Sequence, residues 1–376
     1  MAVQTDCSKR EQIRVLYFAN CNNYHTRKWA AFFAGRGWDV HVASLEEPNK
    51  NSVGEINGVT VHWLFNSGNR LGSDLQKLGY LSTFGEARRL IESLNPDIVH
   101  AHYASSYGTV CAATCRRPFY LSVWGSDVYD FPRKGPLQRL LLKNALSKAS
   151  WVMSTSAAMA EETRKYTDKD IYITPFGVDM ALFNPSKRVP HDGLLVGTVK
   201  ALEEKYGISA LLEACAFVHD RRPDLGLKVR IAGTGAREAE LRNQARRLGM
   251  DGYLEWLGFI PQEQAAREWA SFDIALVPSK SKSESFGVSA VEAQASGTPL
   301  VISDVPGLME ACDGGNTALV VSRDDSSALA GAIERLADSP ALRKSIAKRG
   351  LDYVRSVYEI GDCFETIEKI YAAHLE

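Results

Sequence analysis

Short apolar runs rich in β-branched residues alternate with helical patterns along the whole chain. The apolar runs lie at 13–19, 38–45, 96–103, 118–123 and 150–156 in the first half, and at 193–201, 227–235, 253–259, 272–279, 298–303 and 317–322 in the second. Helical segments such as 26–37 and 74–94 lie between them. Continuous apolar strands separated by helices are typical of parallel sheets covered on both faces. The pattern therefore predicts an α/β protein.

The strand–helix pattern restarts after the middle of the chain, which predicts two doubly wound Rossmann-like domains. We expect an N-terminal domain over 1–186 and a C-terminal domain over 187–357. The segment 183–193 carries two prolines, charges and a glycine, as expected for a domain linker. A helix within 358–376 is expected to pack back on the first domain. Ligands of such sheets bind at the carboxyl ends of the strands, so a cleft where the domains face each other is the expected site.

Composition narrows the possible classes of protein. The 376 residues are 45% hydrophobic and 24% charged, as in soluble globular proteins, and the net charge of -1 leaves no basic excess for nucleic acid. We expect a cytoplasmic protein, because the first residues form no apolar signal segment and no uncharged run is long enough to span a membrane. The seven cysteines form no CxxC pair and the histidines have no zinc-ligand spacing, so we expect reduced thiols and no metal site.

One small-residue segment, SESFGVSAVEAQASG at 283–297, carries two acidic side chains. Glu284 follows a predicted strand, Phe286, Gly287 and Val288 open a helix, and Glu292 is expected about two turns into it, roughly 10 Å from its start. The unpaired amides of a helix N-terminus suit a phosphate. A nucleotide diphosphate sugar bound there would have hydroxyls on both sides of its diphosphate, those of the sugar and those of the ribose, so that each carboxylate could accept hydrogen bonds from one side. The alternative is a capped helix with Glu292 on its solvated face.

Two lysines flank the turn that follows the first strand of the second half. Lys200 ends the strand, and Lys205 lies just before Gly207 and the next helix. Two cations around one turn can converge on a dianionic group such as a leaving diphosphate. Solvated lysines paired with Glu203 and Glu204 are the alternative.

A short glycine pattern follows the second strand of the same half. Gly233 and Gly235 lie in a strand-to-helix turn, but the third glycine of a dinucleotide fingerprint is absent. A close turn under a nucleotide or tight packing would explain the pair equally.

In their order and spacing, these elements resemble the donor domain of glycosyltransferase family 4, whose members are retaining, metal-independent enzymes of the two-domain GT-B fold. Glu284 and Glu292 match the family's Glu-x7-Glu motif, and Lys200 and Lys205 match its Arg/Lys-x4-Lys pair. The resemblance covers nearly the whole chain.

Two further segments carry the same resemblance. The segment at 175–185 is similar to the interdomain Asn-Gly-Val-Asp segment, with Pro175 and Phe176 where an asparagine commonly precedes the glycine. The segment at 254–264 resembles the base-binding loop, in which main-chain atoms near Phe259 and Ile260 would read the nucleobase.

The resemblance implies a role for each matched side chain. Lys200 and Lys205 would bind the diphosphate and stabilise the charge that develops as it leaves. Glu284 would hold hydroxyls of the transferred sugar, and Glu292 would hold the ribose. Because lysines and helix amides neutralise the diphosphate, no metal or other cofactor is expected. We expect a UDP-sugar donor, with a GDP-sugar as second choice.

The predicted acceptor domain departs from the family pattern. The loop at 20–30 lacks the glycines that often follow the first strand, although Asn22, His25 and Arg27 could still reach the cleft. His102 ends a strand and is a candidate acceptor contact, whereas His100 lies deeper and suits a satisfied core histidine.

The segment at 123–130 resembles the family's His-Gly-Thr/Ser-Asp segment, with Trp124 in place of the histidine. Trp124 would wall a sugar or lipid site or pack in the core, and it supplies no catalytic base. A departing phosphate oxygen can accept the proton instead. Asp127 would orient an acceptor hydroxyl or cap the following turn.

The sequence also predicts a partner surface. Basic and leucine side chains alternate over 131–151, as in helices that lie on anionic membranes, although ordinary packing of an amphipathic helix is the alternative. We interpret the chain as a retaining hexosyltransferase that uses a sugar or lipid-linked acceptor in polysaccharide or glycolipid biosynthesis. The alternatives are a nucleotide-sugar epimerase of the same fold and a sensor that binds donor without turnover.

Overall fold

The computed structural model describes residues 12–49, 55–64 and 76–375. The N-terminal segment used in the sequence analysis and Cys7 lie outside these residues. The chain divides into two compact units. The first contains the described residues up to Ser154, together with Ala160–Ile173 and the segment from Thr366 onward, and the second contains Thr155–Met159 and Thr174–Glu365.

The first unit is built on a seven-stranded parallel sheet in the order β3-β2-β1-β4-β5-β6-β7. Its strands are β1 (Arg14–Phe18), β2 (Asp39–Ser44), β3 (Val59–Trp63), β4 (Ile98–His102), β5 (Tyr120–Val123), β6 (Trp151–Ser154) and β7 (Ile171–Ile173). The helices between them are α1 (Tyr24–Gly35), α2 (Gln76–Leu94), α3 (Tyr107–Thr114), α4 (Ser126–Tyr129), α5 (Pro136–Lys148) and α6 (Ala157–Thr163), the last of which begins in the second unit. Strands β4 and β5 are buried at every position, because helices cover the inner strands of a doubly wound sheet.

The second unit is built on a six-stranded parallel sheet in the order β10-β9-β8-β11-β12-β13. Its strands are β8 (Leu195–Val199), β9 (Lys228–Ala232), β10 (Leu254–Gly258), β11 (Ile274–Val277), β12 (Leu300–Ser303) and β13 (Leu319–Val321). The helices are α7 (Ile208–Arg221), α8 (Glu238–Arg247), α9 (Gln262–Ser271), α10 (Val288–Ala295), α11 (Pro306–Ala311), α12 (Ser326–Asp338), α13 (Pro340–Val357) and α14 (Ile360–Ala372), the last of which ends in the first unit.

Each apolar run predicted to be a strand contains one, and two further strands were missed. The missed strands, β3 and β7, are the two edges of the first sheet. Their residues are only partly buried, so they lack the continuous apolar run that identifies an inner strand. The prediction of two doubly wound α/β domains is confirmed.

The division between the units differs from the predicted boundary at 186/187, since it falls after Ile173. The predicted linker packs on the second unit: Arg188 forms an ion pair with Asp273 at 2.6 Å, and the amide of Val189 donates to Ser271. The C-terminal segment returns to the first unit at Thr366, later than the predicted position 358. Residues up to Glu365 belong to the second unit, and in the first unit the hydroxyl of Tyr371 hydrogen-bonds the ring of His100.

Candidate functional site

The order of the second sheet reverses at β8 and β11. Strand β8 lies between β9 and β11. From β8 the chain continues to β9 and β10 on one side of the sheet, and from β11 it continues to β12 and β13 on the other side. Such a switch point opens a crevice at the carboxyl ends of the strands, where doubly wound sheets bind their ligands. Lys200 is the first residue after β8, and the segment that carries Glu284 follows β11.

Lys200 and Glu284 form a buried ion pair at this switch point. The Lys200 Nζ lies 2.6 Å from the Glu284 Oε2, and the two side chains are 10% and 8% exposed. The hydroxyl of Ser279 donates to the same oxygen at 3.0 Å. Burial alone would raise the pKa of Glu284, but the attraction of Lys200 and these hydrogen bonds outweigh it, so the pKa lies below its usual value. The carboxylate is therefore charged and held in place.

A tyrosine links this pair to the second predicted lysine. The Lys200 Nζ lies 4.3 Å from the centroid of the Tyr206 ring, and the Lys205 Nζ lies 5.0 Å from it. Both distances are in the range of cation–π contact. Burial, followed by the charge of Glu284, raises the pKa of Tyr206. Tyr206 is not among the residues predicted from the sequence, in which the only local signal for it is its position next to a candidate phosphate-binding lysine.

The turn that carries Lys205 is fixed against the end of β11. Gly207 adopts a left-handed backbone conformation, with φ of 68°, and a Cβ there would lie 1.9 Å from the carbonyl oxygen of Pro278. The carbonyl of Lys205 also accepts a hydrogen bond from the Lys280 amide at 2.9 Å. These close backbone contacts place both lysines at the same edge of the sheet as Glu284.

Helix α10 begins one residue later than the sequence suggests. Gly287 has a φ of 75°, so Val288 is the first helical residue, and within the described part of the chain no side chain caps this terminus. Phe286 is buried in ring contacts with Phe176 and Tyr358, which anchor the entry to the helix. The first amides of α10 therefore lack a capping side chain, and the positive end of the helix dipole there favours an anion.

Glu292 lies just over one turn into α10, not two turns as predicted, because the helix starts at Val288. Its side chain is buried, and its Oε2 accepts a hydrogen bond from the indole nitrogen of Trp269 at 3.2 Å. The alternative that placed Glu292 on a solvated helix face is wrong.

The glycine turn after β9 packs directly beneath Lys200. A Cβ on Gly233 would lie 2.0 Å from the carbonyl oxygen of Lys200, and the Gly233 φ is 137°. The Gly233 amide donates to the carbonyl of Gly258 at 2.7 Å. Beyond Gly258, Phe259 is 79% exposed and Ile260 is buried, so of these two residues of the predicted base-binding loop only the first lies at the surface beside the end of β10. The glycine serves close backbone packing next to the candidate site.

In the first unit, His102 lies buried at the end of β4 among aromatic rings. The ring centroids of Trp124, Trp29 and Tyr17 lie 4.5, 4.8 and 5.3 Å from it. Neither ring nitrogen of His102 has a hydrogen-bond partner within the described residues, and burial lowers its pKa to about 3. His102 is therefore neutral near pH 7. His100 hydrogen-bonds Tyr371 and Ser122 and is the satisfied core histidine that was predicted.

Asp127 is fully buried, and its carboxylate accepts hydrogen bonds from the backbone amides of Ala104, Trp124 and Gly125. Burial raises the pKa of Asp127, and these bonds partly offset the effect. The contacts favour the turn-capping alternative, because an acceptor hydroxyl would have to compete with backbone donors. The predicted contact of Asp127 with an acceptor has no support in this geometry.

The loop after β1 is held by its own polar side chains. Asn23 caps α1 by accepting from the amides of His25 and Thr26. Asn22 accepts from the Asn49 amide and donates to the carbonyl of Glu47, both at 2.8 Å. Arg27 donates to the carbonyl of residue 55 at 3.3 Å. These bonds explain how the loop keeps its conformation without the glycines common at this position.

Within the part of the chain that the structure describes, no three His, Cys, Asp or Glu side chains converge as a metal-ligand set. The candidate site thus consists of one buried ion pair, a second lysine, an uncapped helix start and a second buried carboxylate. Two cations beside a helix start can neutralise a dianion, and the flanking carboxylates can accept hydrogen bonds from hydroxyls.

Comparison with known proteins gives family matches in both halves. Residues 14–156 match the family described as Glycosyl transferase 4-like, and residues 180–352 match Glycosyl transferases group 1. The chain is 34% identical over 284 residues to the D-inositol 3-phosphate glycosyltransferase of Arthrobacter sp. (strain FB24), which covers 67% of this chain and 65% of that protein. The corresponding protein of Pseudarthrobacter chlorophenolicus is 35% identical over 212 residues, which covers 53% of this chain and 50% of that protein. The matches thus span about half to two thirds of the length of these relatives.

Solved structures share the fold over nearly the whole chain. Sucrose-phosphate synthase from Thermosynechococcus elongatus has a TM-score of 0.82 at 20% identity, with 96% of this chain and 99% of that chain covered. Anabaena HepE in complex with UDP-glucose has a TM-score of 0.81 at 18% identity, with 96% and 100% covered. At these identities the likeness establishes the fold, which is the predicted GT-B fold.

Proposed function

Because this chain belongs to glycosyltransferase family 4, we propose that it transfers a hexose-type sugar from a nucleotide sugar to a hydroxyl acceptor, with retention at the anomeric carbon and without a metal ion. The observation that carries the proposal is the buried Lys200–Glu284 pair at the switch point of the second sheet. The ammonium group and the uncapped helix start can bind an anion, and the buried carboxylate can accept hydrogen bonds from hydroxyls. The site therefore suits a ligand that carries both an anionic group and hydroxyls.

In the proposed mechanism, the donor diphosphate binds between the two lysines and the first turn of α10. Lys200 and Lys205 neutralise its charge and stabilise the additional charge that develops as the diphosphate leaves. Glu284 accepts hydrogen bonds from hydroxyls of the transferred sugar. Because Glu284 is paired with Lys200 beforehand, its carboxylate stays ionised and needs little reorganisation when the donor binds.

The nucleoside end of the donor is assigned to the remaining candidate residues. Glu292 accepts from the ribose hydroxyls, and the Trp269 indole fixes its orientation. Main-chain groups at Phe259 and Ile260 would contact the base, and Gly233, which lets its turn pack against the Lys200 carbonyl, would support the nucleotide site from beneath. We favour a UDP-sugar, and the HepE complex with UDP-glucose supports this choice, while a GDP-sugar is the second candidate.

The acceptor is expected to be a sugar or a lipid-linked intermediate of polysaccharide or glycolipid biosynthesis. Trp124, which is partly exposed, would offer an aromatic surface to it, with the buried neutral ring of His102 packed against Trp124. The departing phosphate oxygen would take the proton of the acceptor hydroxyl. The names of the matched relatives suggest a second acceptor class, a phosphorylated inositol, which the assay below includes. The matches give no support to the epimerase and sensor alternatives.

Donor binding and transfer can be tested separately. UDP-, GDP-, ADP- and dTDP-sugars are first screened for a rise in unfolding temperature, since a ligand at 100 times its Kd stabilises by about 2.7 kcal/mol. The donor that binds is then incubated with glycolipid, saccharide and inositol phosphate acceptors, and the anomeric configuration of the product is read by NMR. Binding with transfer and retention is expected. A donor that binds without transfer to any acceptor would favour the sensor, and inversion would refute the proposed mechanism.

We also propose that the enzyme is cytoplasmic and contacts the inner face of the cell membrane peripherally, through residues 131–151. No helix in the described ranges has the length and apolar character needed to cross a bilayer. A peripheral contact would bring the enzyme to lipid-linked acceptors.

A further inference from the structure

Helix α5 exposes large apolar side chains at positions where polar side chains are usual. Leu137 and Leu140 are 61% and 64% exposed, although they are three residues apart and share one face of the helix. The packing needs of the helix are already met on its opposite side, where Leu142, Ala145 and Leu146 are buried. Amphipathicity toward the core, the alternative that the sequence left open, therefore explains only the buried side.

The exposed side is also strongly basic. Residues 131–150 contain five cations and no acidic residue: Arg133, Lys134, Arg139, Lys143 and Lys148. All five are exposed. Within the described residues, the last four form no ion pair, and Arg133 lies 3.6 Å from Glu162, which Lys165 also contacts. The surface therefore keeps its positive charge, although the chain as a whole has a net charge of -1.

The cations are arranged around the leucines in a definite way. At 100° per residue, Leu140 lies near the centre of the exposed face and Leu137 lies toward one edge, about 20° from Lys148, whereas Arg139 and Lys143 lie toward the other edge. Next to Leu140, a groove of about 350 Å³ lies between α5 and the 3-10 turn that precedes it. Arg133, Arg139 and Lys143 line this groove together with Pro132 and Pro136.

We propose, resting on the peripheral membrane contact proposed above, that this surface docks on an anionic lipid bilayer, with Leu137 and Leu140 inserted among the acyl chains and the groove holding the phosphate of an acidic headgroup. Apolar side chains between basic flanks match the order of layers in a membrane interface, where the hydrocarbon lies beneath a plane of phosphates. The two guanidinium groups in the groove suit the oxygens of a phosphate ester.

Two other occupants fit the surface less well. Nucleic acid would use the cations but has no use for two adjacent exposed leucines, since its backbone is read by charge. A second copy of this chain in a symmetric contact would place the same five cations against each other, which repel. An anionic bilayer satisfies both the charge and the apolar area.

The test measures binding of the full chain to vesicles, without donor or acceptor, so that its result is independent of the proposed transferase activity. Vesicles of phosphatidylcholine alone are compared with vesicles that also contain phosphatidylglycerol, at low and high salt. We expect binding to the anionic vesicles, weakened by salt. Each cation near an anionic surface contributes about five-fold, so the double variant Arg139→Glu and Lys143→Glu should bind at least about 25-fold more weakly.

The apolar part of the surface is tested by the double variant Leu137→Ser and Leu140→Ser. Each leucine substitution should weaken the affinity for vesicles about ten-fold, and this weakening should persist when the vesicles contain a high fraction of anionic lipid. Lys344→Glu and Phe217→Ser remove an exposed cation and an exposed aromatic of the second unit, and both should bind vesicles like the wild type. Because all the substituted residues are exposed, unfolding temperatures should stay unchanged.

Several results would overturn the proposal. Equal binding to neutral and anionic vesicles would exclude the contact with an acidic headgroup. Wild-type affinity of the leucine variant would exclude insertion of the two leucines. An oligonucleotide that displaces the vesicles at equal charge would point to nucleic acid. A dimer in sedimentation experiments that the leucine variant loses would make the surface a contact between copies.

Discussion

Removal of one member of the buried Lys200–Glu284 pair should destabilise the second unit in a manner that depends on pH. Lys200→Met keeps most of the volume of the side chain but leaves Glu284 without its nearest counter-charge. The carboxylate retains the hydroxyl of Ser279 at 3.0 Å, and its own side chain is only 8% exposed. It therefore becomes a buried charge with incomplete compensation.

The magnitude follows from the burial of the pair. Breaking a fully buried ion pair by removing one partner costs about 3–5 kcal/mol. Because about a tenth of each side chain remains exposed and Ser279 still donates, we expect the lower end, about 3 kcal/mol near pH 7. Lys344→Met is the matched control, since this exposed lysine forms no ion pair within the described ranges, and its change should stay within about 0.5 kcal/mol.

The sign of the pH dependence follows from the pKa of Glu284. In the wild type this pKa lies below its usual value, so the pair stabilises the fold above the unfolded pKa, and that stability is lost as the pH falls through the folded pKa. In Lys200→Met only burial and the remaining hydrogen bonds act, so the pKa should rise. Glu284 of the variant is then protonated at a higher pH than Glu284 of the wild type, and its protonation removes the cost of the unpaired buried charge. The stability difference between the two should therefore shrink as the pH falls from 7 toward 5.

The assay is urea unfolding of the full chain at about pH 7 and about pH 5, which lie above and near the range where a buried glutamate titrates. The double variant Lys200→Met with Glu284→Gln carries no unpaired charge, and it should recover about 2 kcal/mol relative to Lys200→Met at the higher pH. A loss below about 1 kcal/mol that is equal at both pH values, or no recovery in the double variant, would show that the pair is solvated and contributes little to stability.

Three further predictions concern the candidate site. Lys205→Ala should lower turnover by about 10²–10³ with a smaller effect on donor KM, because it removes stabilisation of the leaving group, and wild-type turnover would exclude that role. Glu292→Ala should weaken donor binding by about 10–100-fold in calorimetry, whereas Trp269→Phe, which removes the indole N–H together with the five-membered part of a buried ring, should have a smaller effect on donor affinity; unchanged affinity in Glu292→Ala would argue against a ribose contact. A chelator such as EDTA should leave the transfer rate unchanged if lysines and helix amides alone neutralise the diphosphate, and activity that is lost and then restored by a divalent ion would contradict the metal-free mechanism.

The fold class and most of the strands could be predicted from the sequence alone. Inner parallel strands are buried on both faces, so the chain must supply continuous apolar runs for them, and such runs can be recognised without knowing their partners. The edge strands β3 and β7 were not predicted, because only part of their surface is buried and their sequences lack a continuous apolar run. The start of α10 was also misplaced, because Phe286 and Gly287 fit a helical pattern as well as an anchored turn; the contacts of Phe286 with Phe176 and Tyr358 decided between them.

The identity of the charged residues could likewise be predicted, but their relations could not. The pairing of Lys200 with Glu284, the contact of both lysines with Tyr206 and the bond from Trp269 to Glu292 join residues that are distant or unremarkable in the sequence. They meet because β11 pairs with β8, although β9 and β10 intervene along the chain. A local pattern specifies which faces of an element must be buried, whereas the neighbour that buries each face is selected only when the whole sheet assembles.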